Sequence, residues 1–210
     1  VTNTNDAPFF TSTPTTSAIE DSEYSYTATA SDIDVGDILS ISGTYPDWLT
    51  LVDSADGSAG LSGTPTNDDV GDHSVVLMVT DNSGATDEQL FTINVSNTND
   101  APFFTSDPDT SAVEDAEYSY TMLASDIDEG DELTYTAQTL PGWLTFDGGS
   151  IISGTPENDD VGDHSVVLMV TDNSGATDMQ SFMINVTNTN DAPFFTSTPT
   201  TSAIEDSEYS

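Results

Sequence analysis

The chain has 210 residues, no Lys or Arg and 38 Asp or Glu, so its formal net charge is −38. Without a cationic side chain it cannot neutralise phosphate groups, which excludes nucleic acid and anionic membrane surfaces as direct partners. It contains no Cys, and no run of apolar residues is long enough to predict a membrane-spanning helix. We therefore expect neither disulfides nor direct membrane insertion.

One ten-residue stretch occurs three times and organises the chain. Its copies begin at Val1, Val95 and Val186 and read VTNTNDAPFF, VSNTNDAPFF and VTNTNDAPFF. The copies lie 94 and 91 residues apart, a spacing that indicates whole domains rather than the short units of a solenoid. We call these stretches the first, second and third seams, and we predict a domain boundary at each.

The seams divide the chain into three predicted segments: a first repeat over 1–98, a second repeat over 99–189, and the opening of a third repeat over 190–210. Residues 186–210 are identical to residues 1–25, which gives a unit of 185 residues and indicates recent tandem duplication within a longer array. The two repeats differ in length around Trp48 and Trp143, where one residue is gained before the Trp and four are lost in the turn after it. Length changes in turns are typical of folded repeats.

The predicted elements of each repeat are strands. Apolar and polar residues alternate over Tyr24–Ala30, Ile38–Ser42 and Phe91–Val95, which predicts half-buried strands. Ser74–Thr80 is a continuous, mostly apolar run, which is typical of a central strand. Turn signals such as Val35-Gly36-Asp37 separate these runs. About seven short strands per repeat predict an all-β fold of tandem immunoglobulin-like, Greek-key β-sandwiches.

Several motifs together resemble those of a known superfamily. In the second repeat they are the seam Asn97–Phe103, Asp126–Asp128, Leu140–Asp147, Ser153–Pro156, Asp160–Gly162 and Val170–Gly175. Together they resemble the cadherin-like superfamily, and within it the bacterial and dystroglycan-type cadherin-like repeats. The resemblance covers both full repeats.

The resemblance implies Ca²⁺ at each seam, bound by residues of the repeats before and after it. For the second seam the implied ligands are Glu20, Asp68 or Asp69, Asn97, Asn99, Asp100, Asp126, Asp128 and Asp172. For the first seam they are Asn3, Asn5, Asp6, Asp32, Asp34 and Asp81. For the third seam they are Glu114, Asp159 or Asp160, Asn188, Asn190 and Asp191.

Two features depart from the family pattern. The usual first Asp of the seam is Asn, as at Asn97, and the usual Asp-Arg-Glu turn is replaced by Asp-Asp-Val-Gly. Fewer carboxylates predict weaker binding or fewer ions, because the number of charged ligands sets the affinity of a Ca²⁺ site. We expect about one to three Ca²⁺ ions per seam.

The composition favours the same cation without reference to the family. Of the 38 acidic residues 28 are Asp, and an Asp-x-Asp turn presents two carboxylates to a cation that prefers oxygen ligands. The alternative is that these Asp residues only form turns, which is common for Asp beside Gly. For the Asp-x-Asp pairs and the seam Asp, the pattern favours Ca²⁺.

Two classes of function remain. The first is a calcium-stiffened tandem-repeat region of a large extracellular surface protein of a bacterium or archaeon, acting as a stalk, adhesin or filament. Its partners would be the neighbouring repeats and other copies of the chain in a fibre. The alternative is a calcium-dependent module that binds carbohydrate, protein or another cell-surface ligand. Trp48 and Trp143 could then contact a polysaccharide, although the Leu that follows each favours a place in the core.

An enzyme is the third class, and the sequence argues against it. His73 and His164 are the only His residues, one in each repeat. Neither belongs to a motif that pairs a nucleophile with a base.

Overall fold

The structure is a computed structural model and describes residues 4–208. It contains two compact units. The first unit comprises the chain up to Pro102 together with the loop segments Asp126–Glu132 and Asp172–Ala176. The second comprises Phe103–Ser125, Leu133–Thr171 and the chain from Thr177 onward. Within residues 4–208, no helix is both long enough and apolar enough to span a bilayer.

The first repeat is a sandwich of two sheets. Its strands are β1 (Phe9–Phe10), β2 (Ser17–Ile19), β3 (Tyr24–Ser31), β4 (Ser40–Thr44), β5 (Leu49–Asp53), β6 (Ser58–Gly63), β7 (Gly71–Thr80) and β8 (Thr86–Ser96). One sheet has the order β1-β3-β6-β5 and the other β2-β8-β7-β4. A short 3-10 turn, Asn67–Asp69, precedes β7.

The second repeat has the same plan. Its strands are β9 (Phe103–Phe104), β10 (Ser111–Val113), β11 (Tyr118–Thr121), β12 (Ala124–Ser125), β13 (Thr134–Thr139), β14 (Thr145–Phe146), β15 (Ile151–Gly154), β16 (Gly162–Thr171) and β17 (Thr177–Thr187). One sheet has the order β10-β17-β16-β13, and the other is divided into β11-β15-β14 and the pair β12-β9. A 3-10 turn, Asn158–Asp160, precedes β16.

These sheets confirm the predicted immunoglobulin-like fold, and the strand patterns explain it. In β8, Ile93 and Val95 are buried while Thr92 and Asn94 are exposed, as the alternation of that segment predicts. The apolar run of β7 lies inside its sheet, between β8 and β4. The predicted strand at Ile38–Ser42 begins later, at Ser40.

Each repeat has its own core. In the first, Leu61, Leu77 and Ile93 are fully buried between the two sheets. The phenol of Tyr26 closes one side of this core, since its hydroxyl donates to Gln89 Oε1 at 2.7 Å and lies 2.6 Å from Ser12 Oγ. The second repeat has the equivalent network, formed by Tyr120, Gln180 and Ser106.

Trp48 packs against the core of its repeat, as the neighbouring Leu predicts. Its ring meets Tyr24 edge to face at 5.8 Å and His73 at 6.0 Å between ring centroids. Trp143 makes the same contacts in the second repeat. The half-buried indoles therefore pack against the cores, and His73 lies beside the Trp48 ring.

Candidate metal site

A tight turn at the start of Asp126–Glu132 gathers three carboxylates in the first unit. Asp126 Oδ1 accepts a hydrogen bond from the amide of Asp128 at 3.1 Å, and Gly130 takes a φ of 95° that favours glycine. One carboxylate oxygen from each of Asp126, Asp128 and Asp131 lies within 4.8 Å of the other two. The Asp-x-Asp pair is thus joined by a third Asp.

A second group of carboxylates in the same unit consists of Glu20, Asp21 and Asp100, again with one oxygen each within 4.8 Å. Glu20 is only 2% exposed, and its Oε2 accepts a hydrogen bond from the amide of Thr98 at 3.0 Å. Asp21 has a φ of 58°, a left-handed conformation that Asp tolerates better than most residues. The two groups place oxygens of the predicted ligands Glu20, Asp100, Asp126 and Asp128 in one compact unit.

The residues present fit a cation. The Oδ2 atoms of Asp126 and Asp131 are buried and have no hydrogen-bond donor among the described residues. A buried carboxylate oxygen without a partner is unfavourable, and a bound cation would satisfy it. The candidate ligands are all oxygen atoms, which suits Ca²⁺ rather than a softer metal.

The side-chain amides of the second seam contact carboxylates of the candidate site. Asn97 Nδ2 donates to Asp128 Oδ1 at 2.9 Å, and Asn99 Nδ2 donates to Asp172 Oδ2 at 2.9 Å. The amide of Asp100 also donates to Asp128 Oδ2, at 2.7 Å. Asn97 and Asn99 thus present N–H groups to the carboxylates, and in this arrangement they hold the ligands in place.

The electrostatics of the site follow from these contacts. Burial raises the pKa of Asp131 above its ordinary value, and the carboxylates of Asp126, Asp172 and Asp128 raise it further. Burial also raises the pKa of Asp100, and among the neighbouring acids the carboxylate of Asp128 contributes most to the rise. The hydrogen bond from Asn99 lowers the pKa of Asp172. Without a cation, the site therefore holds carboxyl groups whose pKa is raised, Asp100 and Asp131, beside one whose pKa is lowered, Asp172.

The first seam repeats much of this geometry in the first unit. Asp32, Asp37 and Asp81 form a group with oxygens within 4.8 Å, and the Oδ2 atoms of Asp32 and Asp37 are buried without a donor among residues 4–208. The other contacts of this seam are Asn5 Nδ2 to Asp81 Oδ2 at 2.8 Å and the Asp6 amide to Asp34 Oδ2 at 2.7 Å. The remaining predicted ligand, Asn3, lies outside the described residues.

At the third seam the structure places only the upstream part. The buried carboxylate of Glu114 accepts a hydrogen bond from the amide of Thr189 at 2.8 Å, as Glu20 does from Thr98. Asn188 and Asn190 donate to the carbonyls of Thr189 and Asp191.

The two aspartates of the 3-10 turn Asn67–Asp69 have different surroundings. Asp69 Oδ2 accepts hydrogen bonds from the amide and hydroxyl of Thr66, both at 2.9 Å, and thereby caps the 3-10 turn. Asp160 caps the equivalent turn through the amide of Glu157. Asp68 instead lines a cavity of about 530 Å³ in the first unit, together with Asn67, Val70, Asn97 and Glu129. Of the two alternatives, Asp68 has the carboxylate that is not used by the cap.

Three residues of these groups were not among the predicted ligands: Asp21, Asp37 and Asp131. A signal for the last two was present, because each is the third Asp of the repeated segment Asp-Ile-Asp-x-Gly-Asp. Asp21 directly follows Glu20 and has a left-handed backbone conformation. Sequence spacing alone does not reveal that conformation.

The pKa directions predict opposite effects of two substitutions in the metal-free chain. The pKa of Asp131 is raised in the folded state, so its ionisation opposes folding at neutral pH, and Asp131→Asn should raise the free energy of unfolding there. The pKa of Asp172 is lowered in the folded state, so its ionisation favours folding, and Asp172→Asn should lower the free energy of unfolding at neutral pH. Both differences should shrink as the pH falls through the carboxyl range. Urea unfolding at pH 7 and pH 3 measures them, and effects of equal sign would contradict the account.

The fold and the acidic turns define the chain as two tandem immunoglobulin-like β-sandwiches, and the comparisons identify the family. The family model described as "Putative Ig domain" matches residues 7–96 and again 101–187. The chain therefore belongs to that family, with two consecutive copies. The copies coincide with the two sandwiches of the structure.

The chain is similar to part of a staphylococcal adhesin. The chain is 33% identical over 160 residues to the serine-rich adhesin for platelets of Staphylococcus aureus strain MRSA252. The aligned segment covers 76% of this chain and 11% of that protein. The match to the same adhesin of strain MSSA476 covers 7% of its length. The chain thus spans only a small part of these relatives.

Solved structures confirm the predicted cadherin-like resemblance at the level of the fold. Extracellular cadherin domains 1–5 of protocadherin gamma B2 align with 90% of this chain and 42% of that one, at 18% identity and a TM-score of 0.60. An endo-fucoidan hydrolase of glycoside hydrolase family 107 aligns with 90% of this chain and 30% of that one, at 31% identity and a TM-score of 0.43.

Proposed function

We propose that the chain is part of an extracellular surface protein in which Ca²⁺ binds at the seams and stiffens a tandem array of immunoglobulin-like repeats. The observation that carries the proposal is the group Asp126, Asp128 and Asp131, with two buried carboxylate oxygens that have no hydrogen-bond donor within residues 4–208. The same arrangement at Asp32 and Asp37 supports it, because the two groups lie in corresponding loops.

The residues have separate roles in this proposal. Asp126, Asp128 and Asp131 would bind one ion directly, and Glu20, Asp21 and Asp100 would supply oxygens for a neighbouring ion. Asn97, Asn99 and the cap residue Asp69 would hold the carboxylates and the turn in place. The bound ions would offset the repulsion between carboxylates, which opposes a compact state in a chain of net charge −38.

Stiffening follows from the order of the ligands along the chain. Glu20 belongs to the first repeat, Asp100 to the second seam, and Asp126 to the second repeat. Ions held by the two carboxylate groups to which these residues belong would together restrict the motion of one repeat against the next. A surface location is supported by the adhesin relatives, and it would make the array a stalk, adhesin or filament.

Distances between spin labels test the stiffening. The chain has no Cys, so labels attached through Ser42→Cys and Thr145→Cys, both exposed, occupy defined positions in the two repeats. We expect Ca²⁺ to narrow the distance distribution and a chelator to broaden it. The same labels in an Asp126→Asn/Asp128→Asn chain provide the control. The distance distribution of this variant should stay broad in Ca²⁺. A width that does not respond to Ca²⁺ would contradict the proposal.

A calcium-dependent binding module is the second candidate. Carbohydrate recognition through tryptophan is not favoured, because both indoles pack against the core. A binding module would instead have to use other surfaces. Measuring the binding of the chain to arrayed polysaccharides and cell-surface ligands, with and without Ca²⁺, would detect such an activity.

A further inference from the structure

The acidic loops of the two repeats differ in their outward side chains. We call residues 32–38 the first loop and residues 126–132 the second loop, and they read DIDVGDI and DIDEGDE. The second loop therefore has five carboxylates where the first has three. The residues that differ are exposed in both loops, and they are Val35 and Ile38 in the first and Glu129 and Glu132 in the second.

The first loop exposes a group of apolar side chains. Ile33, Val35 and Ile38 lie within six residues of one another, and each is more than half exposed. Apolar side chains grouped on the surface of so acidic a chain are typical of a contact surface. Because residues 186–210 are identical to residues 1–25, a repeat of the second kind is followed by one of the first kind. The candidate partner of this surface is therefore the end of a preceding second-kind repeat.

The second loop shows which segment lies against such a loop. The side-chain amide of Asn67, in the 3-10 turn of the first repeat, donates to the carbonyl of Ile127 at 2.8 Å. Val70, which follows this turn, lines the cavity of about 530 Å³ together with Asp68 and Glu129. All of these residues belong to the first unit. Glu129 thus shares its cavity with a second carboxylate and with an apolar side chain.

The same turn precedes the third seam. Residues 158–161 are identical to residues 67–70, and Val161 is exposed, as Val70 is. Where the second loop has Glu129, a repeat of the first kind has Val35. The equivalent cavity at such a seam would therefore be lined by two valines and by one carboxylate fewer.

We propose that the apolar side chains of the first loop dock on the turn 158–161 of the preceding repeat and hold that seam without a metal ion. The second seam, with Glu129 and Glu132 in these places, would then depend on Ca²⁺ for its order. The two kinds of seam alternate along the array. When Ca²⁺ falls, the array would therefore separate into stiff pairs of repeats joined by flexible second-kind seams.

The physical reason is that closing the two kinds of cavity has opposite effects on the free energy. Without an ion, the carboxylates of Asp68 and Glu129 repel each other more strongly as the loop approaches the turn. Two valines in a closing cavity lose apolar surface to water, which is favourable and needs no cation. The calcium dependence of the second seam rests on the proposed function, whereas the apolar contact does not.

Moving the apolar residues into the second loop tests the proposal in this chain, because its turn 67–70 is identical to 158–161. Glu129→Val/Glu132→Ile gives the second loop the outward residues of the first. With spin labels at Ser42→Cys and Thr145→Cys, this variant should show a narrower distance distribution in chelator than the unaltered chain. Most of the narrowing caused by Ca²⁺ should be lost. A width in chelator equal to that of the unaltered chain would overturn the proposal.

Two matched variants separate apolar contact from loss of charge. Glu129→Gln/Glu132→Gln removes the same two charges without adding apolar surface, so its distribution in chelator should stay broader than that of Glu129→Val/Glu132→Ile. Adding Val70→Ser to the latter variant should restore the broad distribution, because it removes the apolar partner in the turn. Equal narrowing in the Gln variant, or no effect of Val70→Ser, would contradict an apolar contact.

Thermal unfolding in chelator verifies that each variant folds, and the substituted side chains are exposed, so the midpoints should stay close to that of the unaltered chain. The widths in chelator also separate this proposal from the proposed function. If the width of the unaltered chain does not respond to Ca²⁺, the proposed function fails. A narrower distribution for Glu129→Val/Glu132→Ile in chelator would still support the apolar contact.

Discussion

Saturating Ca²⁺ should raise the thermal unfolding midpoint of this chain, relative to chelator, by on the order of 10 °C. A ligand that binds only the folded state stabilises it by about 2.7 kcal/mol at a concentration of one hundred times its Kd. For domains of this length, each kcal/mol shifts the midpoint by about 4–8 °C. The effect should be large here, because the cation replaces repulsion between buried carboxylates with attraction.

Matched charge variants separate specific binding from screening. Asp126→Asn/Asp128→Asn should remove most of the Ca²⁺-dependent shift at the second seam. Glu23→Gln/Glu117→Gln removes the same number of charges from exposed positions and should keep the shift. Differential scanning calorimetry of each chain in Ca²⁺ and in chelator gives both results. If both variants respond to Ca²⁺ alike, the ion acts only on the overall charge.

Gly63→Ala should destabilise the first repeat by about 1–3 kcal/mol or more, because an added methyl group would overlap the main chain. Gly63 lies at the end of β6, opposite Leu49, and a Cβ built there meets the carbonyl of Trp48. A backbone carbonyl cannot turn aside as a side chain can, so β5 and β6 would have to separate. The equivalent Gly154 meets the carbonyl of Trp143 in the same way.

Gly60→Ala is the matched control for this prediction. Gly60 lies on the same strand, and a Cβ built there meets no atom within 4 Å. Urea unfolding should show a loss for Gly63→Ala and little change, or a small gain, for Gly60→Ala. Similar losses of unfolding free energy in the two variants would mean that the close approach to the Trp48 carbonyl is not the reason for glycine at position 63.

The fold could be predicted from the sequence because its signals are local. Alternation in segments such as Phe91–Val95 indicates directly which side chains face the core. The parallel pairing of β2 with β8 could not be predicted in this way. It joins residues more than seventy positions apart, and Ser17–Ile19 is too short to carry a pattern.

The candidate site was predictable in part. The Asp-x-Asp motif identifies Asp126 and Asp128, since residues so close in sequence must lie close in space. The third carboxylate, Asp131, and the orientation of Asn99 depend on turn geometry and on contacts between distant loops. The choice between Asp68 and Asp69 likewise depends on which carboxylate caps the 3-10 turn, which the structure shows to be Asp69.

The most direct test of the central claim is a calorimetric titration of the metal-stripped chain with Ca²⁺, repeated with the Asp126→Asn/Asp128→Asn chain. The account predicts saturable binding by the first chain and fewer bound ions for the second. The absence of saturable binding at millimolar Ca²⁺, or equal stoichiometry in the two chains, would contradict the assignment of these aspartates as a calcium site.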